Sequence, residues 1–371
     1  LIFPGSQGSR QTSLEMDNTA VVLRYKKDFG SRYTLGAFLT NRFGDEYHNR
    51  VVGADGSLRF NQQNQLDFQI LASETAYPGE TGNRFNQPGG SFSDWAGLAE
   101  YEYRTRNFHG SVGYYRIGPD FRADMGFIPK VGYEQMDLSF GRNWYNSKRG
   151  GWWSTMQIAY GYWRQNELGE AFLKDEHSLG FTFQGIAQSF LYIEVESGRE
   201  SYMGHVYPIT TLGVNLQLQP FSDLTAYASA LIGDGIDYIH NRSGRQTGLS
   251  LQLDYHLGRR TKLSLGQTYE RMTVNDMELY TANITQGTLY YHFTPRLMIR
   301  GIVQYVNTHS NPDNYQAEID PRYEDIFTQF LFSYQINHMY LRYFMWNFSG
   351  RQNDNQGHGD LFNGNWLTGI G

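Results

Sequence analysis

The sequence predicts an all-β chain, a transmembrane antiparallel β-barrel of about 18 or more strands. Three observations carry that prediction. First, apolar and polar residues alternate with a period of two in segment after segment. The pattern is cleanest in Leu191-Tyr192-Ile193-Glu194-Val195-Glu196 and in Leu212-Gly213-Val214-Asn215-Leu216-Gln217-Leu218. Successive strand side chains point to opposite faces, so one face is aliphatic and the other carries Tyr192, Glu194, Glu196, Asn215 and Gln217. Second, no run approaches the roughly 18 apolar residues of a membrane-spanning helix. The mean hydropathy of -0.56 agrees with a barrel, whose polar face lowers the average while each strand needs only about 9–11 alternating residues. Third, tight turns and longer polar connections alternate along the chain.

Composition narrows the class further. The 371 residues hold 28 Tyr, 24 Phe and 41 Gly, against 10 Pro and no Cys. Abundant aromatics suit girdles at two membrane interfaces, and abundant glycine suits crowded positions in a barrel wall. Without cysteine there is no disulfide framework and no thiolate metal site. A net charge of -6, with no basic stripe, excludes a nucleic-acid partner. No secretory leader is legible at Leu1.

Residues 1–18 are polar, without a period, and read as loop. A first hairpin runs through Ala20–Tyr25, turns at Asp28–Arg32 and returns through Tyr33–Leu39. Arg50–Phe60 and Gln65–Ala76 form the next around Asn61–Asn64, followed by a Gly-, Pro- and Asn-rich connection at Tyr77–Ser91. Strands around Trp95–Arg106 and Phe108–Ile117 meet near Asn107, and those around Gly132–Tyr145 and Trp152–Arg164 meet at Asn146–Gly150. Further tight turns fall near Gly185–Gln188, Gln219–Asp223, Leu257–Thr261, Phe293–Arg296 and Gln335–His338. Longer polar stretches lie between them at Gly118–Lys130, Gln165–Lys174, Gly233–Gly244 and Thr308–Arg322. Short turns at one end and longer loops at the other are the pattern of an outer-membrane barrel. A soluble sandwich or propeller is the competing reading, but sandwich strands average about five to six residues. Gly248–Leu257, Lys262–Thr273 and Ile326–Ile336 each sustain the pattern for longer than that. Aromatics also gather near strand ends, as at Tyr101, Tyr103 and Phe108, at Tyr290, Tyr291 and Phe293, and at Tyr340, Tyr343, Phe344 and Trp346.

The whole chain, residues 1–371, is expected to be one barrel domain. If the short turns are periplasmic, the first strand descends from the cell surface, and Asn363–Gly371 reads as the start of another descending strand. Single-chain barrels usually have an even strand number with both ends inside. The expectation is therefore a piece of a longer polypeptide, and a source protein of only 42.8 kDa would refute it.

The segment Asp120-Phe121-Arg122-Ala123-Asp124-Met125-Gly126-Phe127-Ile128-Pro129 follows Tyr114-Tyr115-Arg116-Ile117-Gly118. With Leu39-Thr40-Asn41-Arg42-Phe43 and Asn49-Arg50-Val51-Val52-Gly53-Ala54-Asp55, it resembles a bacterial family of uncharacterised outer-membrane barrels. Members typically carry a carbohydrate-binding family 9-like domain ahead of the barrel. The likeness is most specific over residues 19–145 and fades to general barrel character beyond. It implies an outer-membrane location and no established activity, and the upstream domain is absent from this sequence.

The connection 118–130 is the leading functional candidate. It sets Asp120, Arg122, Asp124 and Lys130 among Phe121, Met125 and Phe127, with Pro119 and Pro129 stiffening its ends. Folded into a barrel it could constrict a pore or offer ligand contacts; the plainer reading is a packed surface loop with compensating Asp–Arg pairs. Lumen-charge candidates are Glu100, Glu102, Arg104, Glu194, Glu196, Asp254, Glu270, Arg300 and Arg342. The acidic stretches Gly233–Asp237 and Asn311–Asn314, with Glu318 and Asp320, do not match the spacing of an EF-hand and read as solvated turns. The ten His show no metal-ligand spacing, and neither HExxH nor GxSxG occurs. No metal, cofactor or catalytic residue is expected. The leading function is a pore or transport channel for a small polar solute or saccharide, with lipid bilayer and lipopolysaccharide as partners. A non-conducting membrane anchor or assembly partner for a surface or periplasmic complex, with a partner protein or complex bound, is the first alternative. The second is an outer-membrane hydrolase assembled from separate strands.

Overall fold

The computed structural model describes residues 1–4, 9–13, 16–148, 150–169, 171–315, 318–335, 341–352 and 363–370, the last two stretches as backbone. A small hairpin of β1 (Ile2–Pro4) and β2 (Ser9–Gln11) comes first. Then follow β3 (Asn18–Phe29), β4 (Tyr33–Gly44), β5 (Tyr47–Arg59), β6 (Asn64–Ala76), helix α1 (Gly79–Arg84), β7 (Ser91–Arg104), β8 (Phe108–Ile117) and β9 (Tyr133–Tyr145). The order continues through β10 (Trp153–Glu167), β11 (Phe172–Gly185), β12 (Phe190–Tyr202), β13 (His205–Phe221), β14 (Leu224–Asp237) and β15 (Arg242–Leu257). It ends with β16 (Thr261–Val274), β17 (Met277–Thr294), β18 (Leu297–Ser310), β19 (Arg322–Gln335), β20 (Leu341–Gln352) and β21 (Asn363–Ile370). Among the described residues, β3 to β21 form one antiparallel barrel in chain order, nineteen strands in the predicted class. The nineteenth is the strand expected at Asn363.

The two faces of each strand explain why this sequence needs a membrane. On β15, Leu249, Leu251, Leu253 and Tyr255 are 44, 60, 48 and 43% exposed. The intervening Ser250, Gln252 and Asp254 face the other way. Apolar area left open to water would forfeit about 25 cal/mol per Å². A hydrocarbon surround removes that cost, while closed inter-strand pairing satisfies the backbone.

Two predicted loops are shorter than expected. Gln165–Lys174 contracts to residues 168–171 and Gly233–Gly244 to residues 238–241, because β10, β11, β14 and β15 extend into them. Past the membrane both faces of a strand meet polar surroundings, so alternation fades while backbone pairing continues. Asp234 and Asp237 accordingly lie on β14 and not in a surface loop. The two-residue turns Met203–Gly204 (45° and 81°) and Asn275–Asp276 (51° and 62°) have positive φ at both positions. That geometry matches the right-handed strand twist.

Two compact units are distinguished, residues 1–143, 158–178 and 198–206 in the first and residues 144–157, 179–197 and 207–371 in the second. In the first unit, the polar face of β3–β5 carries Arg24 bonded to both carboxylate oxygens of Asp55. The bridge passes over Gly36, where a Cβ would lie 2.8 Å from the guanidinium.

Candidate functional site

The site is the connection between β8 and β9, residues 118–132, together with the strand ends it folds against. In the first unit, the polar-face positions of β4–β7 fall into three successive rows. Phe38, Gly53, Leu71 and Ala96 make the deepest, Thr40, Val51, Ser73 and Asp94 the next, and Arg42, Asn49, Thr75 and Phe92 the last. The connection turns back over these rows instead of standing away from the strand ends. Phe121 is fully buried with Val51 and Ala96, flanked by Phe38, Leu71, Ile117, Ala123 and Ile128. A phenyl ring is thus the hydrophobic anchor of a loop whose backbone must find polar partners on the wall.

Those partners are supplied one by one. The Arg122 N–H donates to Ser73 Oγ at 3.1 Å, and the Arg122 carbonyl accepts from Asn49 Nδ2 at 3.0 Å. Asn49 Oδ1 accepts from the Asp124 N–H at 3.0 Å, and Asn49 Nδ2 also donates to Thr75 Oγ1 at 2.8 Å. The Asp120 N–H donates to Asp94 Oδ2 at 3.0 Å. At Gly118 a Cβ would sit 2.0 Å from that same Asp94 carboxylate. Only glycine lets the chain leave β8 so close to the acid.

The charged side chains of the loop are turned inward. The Asp124 carboxylate accepts from the hydroxyls of Tyr47 and Tyr77 at 2.8 and 2.9 Å. Burial pushes the Asp124 acid above the usual carboxylate range, and the two hydrogen bonds oppose that push only in part. The Arg122 side chain is 4% exposed, donating from Nε to Gln87 Oε1 and from Nη1 to the Pro119 and Phe121 carbonyls. Burial lowers its pKa, and Tyr77, Asp120, Asp124 and Asp94 oppose the shift. Lys130 donates to Gln165 Oε1, and burial lowers its pKa against the pull of Glu200 and Glu167. Among the described residues no carboxylate lies within ion-pair distance of Arg122. The expected compensating Asp–Arg pairs inside the loop are therefore replaced by hydrogen bonds to carbonyls, an amide and tyrosines. Phe127, by contrast, is 73% exposed.

The loop candidates Asp120, Phe121, Arg122 and Asp124 thus come together with the wall, Lys130 reaches β10, and Phe127 stands clear. The lumen-charge candidates do not converge. Glu100, Glu102 and Arg104 share one face of β7, where Tyr115 donates to Glu100 at 3.3 Å and Arg104 pairs with Glu102. In the second unit, Glu196 accepts from Thr211 and shares a cavity of 360 Å³ with Glu194 and Glu270. Asp254 pairs with Lys262 at 3.0 Å, and Arg300 donates to Gln329. Arg342 stands opposite Tyr334 in register, and its side chain lies outside the described residues, as do those of Tyr340, Tyr343 and Phe344.

Asn49, Ser73, Thr75, Tyr47, Tyr77 and Asp94 are the functional residues that the sequence reading missed. The one available signal was polar side chains recurring at inward positions near strand ends. A separate buried group in the second unit joins His240 Nδ1 to Asp237 at 2.8 Å, with Arg242 Nε on the same oxygen at 2.8 Å and its Nη2 on the Asn314 carbonyl. Asp313 and Asn311 of the other acidic stretch form a local turn. Among the described residues, no group of three or more His, Asp or Glu is placed to hold a metal ion.

No family model matches the chain, and no curated protein does. Among solved structures, it is similar to the siderophore receptor PirA of Pseudomonas aeruginosa, with a TM-score of 0.53 and 8% identity over 100% of this chain and 72% of that one. It is likewise similar to the siderophore receptor PirA of Acinetobacter baumannii, with a TM-score of 0.52 and 8% identity over 98% of this chain and 70% of that one. These likenesses establish the fold, and the chain has the β-barrel architecture of those outer-membrane receptors.

Proposed function

We propose that the chain forms a passage for small polar solutes across the outer membrane, narrowed by the fixed loop 118–132. One observation carries this reading. The loop lies on the polar face of β4–β7, held there by side-chain hydrogen bonds from the wall positions Tyr47, Asn49, Ser73 and Asp94 and from Tyr77 beside it. A loop that served only to display a surface epitope would gain nothing from burying Phe121 and Arg122. A loop that sets the width of a channel must be rigid, and rigidity follows from satisfied buried polar groups. The solved neighbours are named as siderophore receptors, and at 8% identity that cargo is not carried over.

The deciding measurement is single-channel conductance of the purified protein in a planar bilayer. Stable steps are expected. Replacing residues 121–129 by a short Gly–Ser linker is expected to enlarge those steps, because the constriction is removed while the strands are kept. Silence of both forms would overturn the passage reading in favour of a membrane anchor.

A further inference from the structure

We propose that the polar face of β13–β18 carries a binding track for a neutral polyhydroxylated solute, a hexose oligosaccharide, centred on a hollow over Gly266. The proposal rests on the passage reading and names the solute class for it. Gln217, Tyr227, Gln252, Gly266, Gln286 and Gln304 stand in one hydrogen-bonded row, each directly opposite the next on neighbouring strands. Strands lie about 4.8 Å apart, so this row runs for about 24 Å along the wall. Four of its six positions are glutamine.

The row floors a cavity of 670 Å³ whose lining contains no Asp, Glu, Lys, Arg or His. That is unusual beside a lumen that elsewhere carries Asp254, Glu270 and Arg300. Gly266 opens the hollow, because a Cβ there would have nothing nearer than the Gln286 carbonyl at 3.9 Å. The amides are available as well as present. Gln252 spends one donor on Asp254 at 3.1 Å and Gln286 one on Thr288 at 3.4 Å. Among the described residues, the amides of Asn215 and Gln217 make no hydrogen bond.

The chemistry selects a class. A side-chain amide donates and accepts at once, as a hydroxyl does, so a row of amides can satisfy a row of hydroxyls in either direction. An ion entering the same cavity would lose water without meeting a counter-charge. Tyr227, 39% exposed, offers a flat apolar ring to the C–H face of a sugar beside its own hydroxyl. The adjoining 360 Å³ cavity shares Asn215, Ser229, Ser250 and Thr268 with the first and adds Glu194, Glu196 and Glu270 as acceptors.

The test needs no current. Purified protein in detergent is mixed with maltohexaose, and binding is read by equilibrium dialysis and by saturation-transfer difference NMR. Binding is expected, weakened about tenfold by Gln252→Leu, the loss of one well-placed hydrogen-bonding group. Gly266→Leu, which fills the hollow, is expected to abolish it. Retained heat-resistant gel mobility identifies folded barrels; if Gly266→Leu does not fold, Tyr227→Ala and Gln252→Leu decide. Unchanged affinity in the folded variants would overturn the site, as would displacement of the sugar by equimolar spermidine or citrate. A protein that conducts but does not bind maltohexaose overturns this inference alone. A protein that binds but is silent in bilayers supports the site and overturns the passage reading alone.

Discussion

Asn49→Leu is expected to detach loop 118–132 from the barrel wall, at a local cost of about 3–9 kcal/mol. Asn49 has no exposed surface, and its single amide satisfies three groups at once: the Thr75 hydroxyl, the Arg122 carbonyl and the Asp124 N–H. Leucine has nearly the same length but can pair with none of them. Each buried group left unpaired costs about 1–3 kcal/mol, well above the net value of a hydrogen bond between groups that could return to water. The strands themselves keep their ladders, so the barrel should still fold and run as a compact band. The loss should appear as hydrogen exchange at the Asp124 and Arg122 amides, as proteolytic cleavage within 118–132, and as a noisy, enlarged single-channel current. Exchange and cleavage equal to those of the parent protein would mean that Phe121 alone holds the loop. Asn49→Asp separates polarity from geometry, because it keeps the acceptor for the Asp124 N–H while losing both donors.

The barrel was legible because its physics is periodic. Leu249, Leu251 and Leu253 alternating with Ser250, Gln252 and Asp254 state the two solvents directly, and no tertiary knowledge is needed to read them. Strand ends were less legible, since Gln165-Asn166-Glu167 and Asp234–Asp237 continue the ladder where neither face is lipid. Met203–Gly204 closes a hairpin by positive φ, although methionine is a weak turn signal. The site divides along the same line. Residues 118–130 stood out by local composition, a property of one segment. The roles inside that segment depend on residues far away in sequence, with Asn49 and Asp124 separated by 75 positions. Nothing local to Asp120, Arg122 or Asp124 says that they turn inward and that Phe127 is left exposed. The row of glutamines is likewise invisible until register places positions 217, 252, 286 and 304 side by side.

The second large effect concerns Asp124 and has a definite sign with pH. Burial raises the acid above its ordinary value of 3.8, because the charged form loses more hydration than Tyr47 and Tyr77 return to it. In the detached loop the carboxyl titrates normally. Between the two values the docked state therefore holds more protons than the detached one, and docking weakens as pH rises through that interval. The full contribution of Asp124 is present below the ordinary carboxylate value and is lost once pH passes the raised one. Asp124→Asn removes this titration while keeping a polar group between the two tyrosines, whose own hydroxyls both donate to the acid in the parent. The free-energy advantage of parent over Asn variant, read from hydrogen exchange of the loop amides, should thus shrink from mild acid towards neutrality. A difference that grows with pH would mean that the ionised acid is the better-held form and that the tyrosine pair outweighs burial. Asp124→Ala gives the complementary measurement. It leaves two hydroxyls without their shared acceptor, at about 2–6 kcal/mol in total, and its loop should exchange faster than that of the Asn variant at every pH. The order parent, Asn, Ala at neutral pH then separates the charge of Asp124 from its hydrogen bonds: if Asn matches or exceeds the parent while Ala fails, polarity holds the loop and the charge is a burden.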